Sequence, residues 1–106
     1  MERFIIIPNK LVKEGILSNG AILLLGCLYS NSKKLGYAYA TNKYYAYMIG
    51  CSVRTVTYLI KELNDHNYIR IENPKSFKRK IYVNYKFPSS KKEMSMKLED
   101  NFLHNI

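Results

Sequence analysis

Residues 41–64 read TNKYYAYMIGCSVRTVTYLIKELN, and the fold follows from where this stretch starts, breaks and restarts. Thr41 offers a side-chain oxygen to the free amides of a helix start. Residues 42–49 are then long enough for about two helical turns, with Tyr45, Ala46 and Ile49 on the face that meets an earlier helix. Lys43, Tyr44, Tyr47 and Met48 occupy the rest. Gly50 ends this helix, because glycine takes the left-handed conformation without steric cost. Cys51 fills the turn and Ser52 caps a second helix. In that helix Val53, Val56, Leu59, Ile60 and Leu63 have the i, i+3, i+4, i+7 spacing of one buried face. Arg54, Tyr58 and Lys61 project from the opposite face, flanked by Thr55 and Thr57.

The chain continues as DHNYIRIENPKSFKRKIYVNYK over residues 65–86. Asp65, His66 and Asn67 break the helix. Residues 68–72 put Ile69 and Ile71 on one side, and residues 81–85 put Ile81, Val83 and Tyr85 on one side, so two half-buried strands form a hairpin. The connection, residues 73–80, carries Lys75, Lys78, Arg79 and Lys80 and no acid, with Ser76 and Phe77 in its middle. Two helices joined by a short turn and followed by a basic hairpin describe a winged helix-turn-helix, an α+β fold.

Working outward, residues 3–7 are a β-branched and aromatic run stopped by Pro8, which reads as an N-terminal strand. Residues 10–15 make one helical turn. Ser18 caps a helix over residues 19–30 that is apolar on most sides and therefore buried on most sides, the central support of a three-helix core. Residues 31–36 form a polar loop, and residues 37–39 alternate in the manner of a short strand. Beyond residue 88, Ser90 and Glu93 match a capping box, and Met94, Leu98 and Phe102 recur at four-residue spacing with Leu103 beside them. This predicts a domain over residues 1–88 and a C-terminal amphipathic helix over residues 89–106. Met94, Leu98, Phe102 and Leu103 are its candidate dimerisation face.

The net charge is +9, with 14 Lys/Arg against 5 Asp/Glu in residues 1–88 and 3 against 3 in residues 89–106. No acid occurs between Glu14 and Glu62. An anionic partner such as nucleic acid fits that distribution. Lys, Asn, Ile and Tyr supply 44 of the 106 residues, a bias typical of A·T-rich coding that accounts for part of the lysine excess. No apolar run approaches the roughly 18 to 20 residues of a membrane span, and the opening residues lack a signal-peptide pattern. A cytoplasmic protein without a membrane partner is expected. Cys27 and Cys51 match neither a disulfide framework nor a zinc spacing. His66 and His104 are isolated and no phosphate-cradling glycine loop occurs, so neither catalysis, cofactor nor metal is expected.

Double-stranded DNA is the expected partner. Ser52, Arg54, Thr55, Thr57, Tyr58 and Lys61 present hydroxyls, a guanidinium, a phenol and an ammonium, groups that hydrogen-bond base edges and phosphates in a major groove. Lys75, Ser76, Phe77, Lys78, Arg79 and Lys80 suit phosphate contact or minor-groove entry, and supply more charge than the helix does. Arg3, Lys10, Lys13 and Lys43 are auxiliary candidates. A rival reading is a protein-interaction module that uses the tyrosines of residues 37–47 and the tail helix, and a third is single-strand binding through exposed tyrosines.

Phe4-Ile5-Ile6-Ile7-Pro8, Leu17-Ser18 with Ala21 after it, Gly36-Tyr37, Gly50-Cys51-Ser52-Val53-Arg54-Thr55-Val56, Ile60-Lys61-Glu62-Leu63 and Tyr68-Ile69 together resemble the winged helix domain of plasmid and phage replication initiators, over about residues 3–85. The resemblance implies DNA binding on the exposed face of residues 52–61 and on the wing. Initiators continue well beyond this domain. A stand-alone version resembles small plasmid accessory factors, including clostridial conjugation proteins that mark a transfer origin. It implies a role in transfer, partition or replication control, or as a repressor of the same fold; a homodimer, through the tail helix, and other plasmid-encoded proteins are the expected further partners.

Overall fold

The structure, a computed structural model, describes residues 6–87 and 94–97. Its elements run β1 (Ile6–Pro8), α1 (Asn9–Glu14), α2 (Asn19–Ser32), α3 (Asn42–Ile49), α4 (Val53–Asp65), β2 (Ile69–Glu72), β3 (Lys80–Val83) and β4 (Met94–Lys97), a small α+β fold. Among the described residues no helix is long and apolar enough to cross a membrane.

Helix α2 is the centre. Ala21, Ile22, Leu24, Leu25, Cys27 and Leu28 are all buried along it, and each fully buried Leu contributes about 1.5–3 kcal/mol. Helices α3 and α4 pack on it and on each other, and β3 covers it from the hairpin side. The approach of α2 to α4 is close at Gly20, where an added Cβ would stand 3.2 Å from the Leu59 methyl carbons. The start of α2 is capped twice. Ser18 Oγ accepts from the Ala21 amide, while Glu62 of α4 accepts from the Ser18 amide and hydroxyl, each at 2.7 Å. A carboxylate there also complements the positive end of the helix.

Helix α3 spans the residues that its sequence implies. Thr41 accepts from the Tyr44 amide at 3.2 Å, and Gly50 ends the helix at φ 72°. Tyr45 and Ala46 are buried, with Ile49 half-buried. The Tyr45 hydroxyl donates to Asn31 Oδ1 at 2.7 Å, and that same oxygen accepts from the amides of Tyr39 and Ala40. The α2 terminus, the loop and α3 are thus joined at one amide oxygen. Burial raises the Tyr45 phenol well above its usual range and pushes the Cys27 thiol up to about 11.

Strands β2 and β3 pair antiparallel, with Ile69 opposite Val83 and Ile71 opposite Ile81 on the inner face. Arg70 faces Tyr82 and Glu72 faces Lys80 on the outer face. Ala38 extends this pairing, exchanging backbone hydrogen bonds of 2.7 and 2.9 Å with Ile81, so the expected strand at residues 37–39 is a single bridge. Phe87, buried, stacks on Tyr29 at 4.0 Å and closes the far end.

Two further expectations are corrected. Val53, assigned to the core stripe of α4, is 46% exposed. Periodicity gives the direction of a side chain but not whether a neighbouring element reaches as far as the first residue of the helix. Residues 94–97, expected to be helical, form β4, which pairs antiparallel with β1, Ile7 opposite Met96 and Pro8 opposite Met94, with an irregularity between Ile7 and Pro8. A proline at such a break gives up no regular ladder bond. The other parts of the expected tail helix, and Arg3, Phe4 and Ile5 of the expected N-terminal strand, lie outside the described residues.

Candidate nucleic-acid interface

Ser52 starts α4 by accepting from the Thr55 amide at 3.0 Å. The buried residues Val56, Leu59, Ile60 and Leu63 then fix the rotation of the helix, so that Ser52, Arg54, Thr55, Thr57, Tyr58 and Lys61 are all exposed together. Their groups are partly ordered by one another. Ser52 Oγ donates to Thr55 Oγ1 at 3.0 Å. Arg54 Nη2 donates to the Tyr58 hydroxyl at 3.3 Å, and its guanidinium lies 5.7 Å from the Tyr58 ring centre. Lys61 pairs with Asp65 at 2.9 Å, one turn further on. An exposed i,i+4 pair of this kind is worth about 0.3–0.5 kcal/mol, so little holds the ammonium to that partner.

The loop between β2 and β3 is built tightly. Asn73 enters it at φ 52°, a left-handed conformation that asparagine tolerates better than most residues. Ser76 is its hub: the Ser76 amide donates to the Asn73 carbonyl at 3.0 Å, the Ser76 carbonyl accepts from the Arg79 amide at 3.1 Å, and Ser76 Oγ accepts from the Lys78 amide at 3.0 Å. The Asn73 side chain donates to the Lys78 carbonyl at 3.4 Å. Around this frame Lys75, Phe77 and Lys78 stand exposed.

Arg79 and Lys80, expected beside them as phosphate contacts, are half-buried at the loop's base. The Lys80 ammonium lies 4.9 Å above the Tyr37 ring. Arg79 turns inward, Nη1 donating to Asn42 Oδ1 at 2.7 Å and Nη2 to the Ala40 carbonyl at 2.9 Å. Burial lowers its pKa from the ordinary arginine value, partly offset by the nearby Tyr45. On the outer face of the hairpin the Arg70 guanidinium lies 4.1 Å from the Tyr82 ring centre and bonds Glu72 at 2.7 Å. This raises the arginine's pKa and lowers the carboxylate's.

Asn42, which the sequence reading passed over, joins the two exposed groups. Its Oδ1 accepts from Arg79 and its Nδ2 donates to Thr57 Oγ1 at 3.4 Å. One side chain at the start of α3 therefore touches both the exposed face of α4 and the base of the hairpin loop. Between α3 and the loop lies an open groove of about 240 Å³, lined by Tyr39, Thr41, Asn42, Lys75 and Phe77 among others. No protein-family model, curated protein or solved structure matches the chain.

The auxiliary candidates separate. Lys43 is exposed in the first turn of α3, directly after Asn42 in sequence, but does not line the groove. Lys10 and Lys13 are exposed on α1, whose main packing partners are β1 and α2. Arg3 lies outside the described residues, as do Leu98, Phe102 and Leu103 of the candidate dimerisation face, while Met94 falls in β4. Asn31 was legible in principle: it continues the buried Leu24, Cys27, Leu28 stripe of α2 at i+3 and i+4, and a polar residue there needs an internal partner.

Proposed function

We propose that the chain binds double-stranded DNA with sequence selectivity as a winged helix-turn-helix, α4 acting as the recognition helix and residues 73–80 as the wing. The observation that carries this reading is the link through Asn42. It holds a hydrogen-bonding helix face carrying Arg54, Thr55 and Tyr58 next to a basic loop carrying Lys75 and Lys78, both exposed. The helix face suits base edges, and the loop suits phosphates. The charge distribution and the resemblance to replication-initiator domains support a role as a plasmid or mobile-element accessory factor. That role lies in transfer-origin marking, partition, replication or transcriptional control, with a second copy of the chain as a further partner.

Fluorescence anisotropy with labelled duplex DNA at two salt concentrations tests the reading. If Lys75 and Lys78 each neutralise one phosphate, replacing both with alanine lowers the salt slope by about 1.8 and weakens binding to all sequences alike. Arg54→Ala instead weakens binding to a preferred site by about 1–3 kcal/mol and much less elsewhere. Absence of salt-sensitive binding at micromolar protein would refute DNA binding. It would favour a protein-interaction surface around Tyr47, which is 80% exposed on α3.

A further inference from the structure

Phe77 is 93% exposed at the tip of the loop. A lone exposed apolar residue normally calls for no explanation, but three features set this one apart. The loop beneath it is held by the four hydrogen bonds that centre on Ser76 and Asn73, and its base is fixed by Arg79 on Asn42 and Ala40. The backbone that carries the ring is therefore ordered in advance, and binding has little more than the side chain to order. Its neighbours Lys75 and Lys78 are exposed cations, and the chain carries no acid from Asn73 until Glu93. The Lys78 ammonium lies 5.9 Å from the Phe77 ring centre, so charge and apolar surface reach the same place.

We propose that Phe77 is a wedge that enters between adjacent base pairs of the bound duplex and bends it. The inference rests on the DNA-binding reading and adds the distortion of the ligand. Two flanking ammonium groups hold the phosphates on either side of an opened step, while an apolar side chain occupies the space between the unstacked bases. Pyrimidine–purine steps such as TA unstack most easily, so the wedge selects them without hydrogen-bonding to their edges. A protein pocket would also accept a phenylalanine, but two lysines beside a single ring fit a polyanion whose hydrophobic surface is reached only between its charges.

The test uses the full chain and a 20-base-pair A·T-rich duplex with one central TA step, labelled at its ends for energy transfer. Phe77→Ala, Phe77→Leu and the unaltered protein are compared, with thermal melts confirming that the exposed substitutions leave the fold intact. Binding by the unaltered protein is expected to shorten the end-to-end distance. Phe77→Leu keeps the bend because leucine is still a wedge, whereas Phe77→Ala loses it and binds about tenfold more weakly. Equal bending by Phe77→Ala, or tight binding of an unbent duplex by the unaltered protein, overturns the wedge and leaves the DNA-binding reading standing. No binding to any duplex overturns both. Phe77-dependent binding to vesicles containing phosphatidylserine, without duplex binding, would instead assign the tip to an anionic membrane surface and overturn the proposal.

Discussion

Both terminal nitrogens of Arg79 donate within the protein, so the residue type best suited to grip phosphate holds the loop in place instead. Hydrogen bonds from a charged group contribute about 1.5–3 kcal/mol. Arg79→Ala is accordingly expected to lower stability by that order in urea unfolding. Arg79→Lys should restore little, because one ammonium does not reproduce the planar fork that reaches Asn42 and Ala40 together. Any DNA affinity lost in Arg79→Ala then comes through a displaced loop rather than a missing charge contact. Cys27 gives a second expectation at this scale. Burial moves its thiol from the ordinary value near 9.0 up to about 11, and Tyr45 is raised in the same direction. As pH rises, the unfolded chain loses these protons first, so their contribution to stability is complete below pH 9 and declines as pH climbs through 11. Thermal melts should fall over that interval, and less so in Cys27→Ala. At pH 8 the native protein should resist alkylation at Cys27.

The elements stand on their caps and breaks. Glu62 reaches from α4 to the start of α2 and satisfies both Ser18 donors. Glu62→Ala is expected to cost about 1–2 kcal/mol, read from the shift in urea midpoint, with Glu62→Gln costing less. Gly50 separates α3 from α4 at φ 72°, and Gly50→Ala should cost about 1–2 kcal/mol for the left-handed backbone alone. Helices α3 and α4 and the hairpin were legible because their signals are local: Thr41 and Ser52 as caps, Gly50 as a stop, and a buried stripe that alternates by three and four. What escaped was non-local. Residues 94–97 carry a capping signal before them and a four-residue spacing beyond them, yet Met94 and Met96 also alternate with Ser95 and Lys97. The choice between the two periods is made by β1, which supplies the paired backbone from the opposite end of the chain. Asn42 escaped for the same reason. Next to a cap it reads as an ordinary first helical residue, and only its distances to Thr57 and Arg79 show what it joins. Counting charges along residues 73–80 likewise missed that Arg79 and Lys80 point to the base of the loop while Lys75 and Lys78 stand at the tip.

Across the whole molecule, the proposed DNA-binding surface gathers Arg54 and Lys61 with Lys75 and Lys78, and leaves Lys10 and Lys13 apart from it on α1. This surface runs from the exposed face of α4 across Asn42 to the loop tip, with α2 as the buried support beneath it. The tie is specific enough to break. Asn42→Ala removes both contacts and should weaken the cooperation of helix and loop without removing any cation, so affinity falls while the salt slope stays nearly unchanged. The most direct test of the surface itself is a titration of isotope-labelled protein with duplex DNA, followed by amide NMR. The amides of Arg54, Thr55 and Tyr58 are expected to shift together with those of Lys75, Phe77 and Lys78, at one common dissociation constant that weakens with salt. Shifts confined to Tyr39, Tyr44 and Tyr47, or helix and loop responding with separate constants, would contradict it.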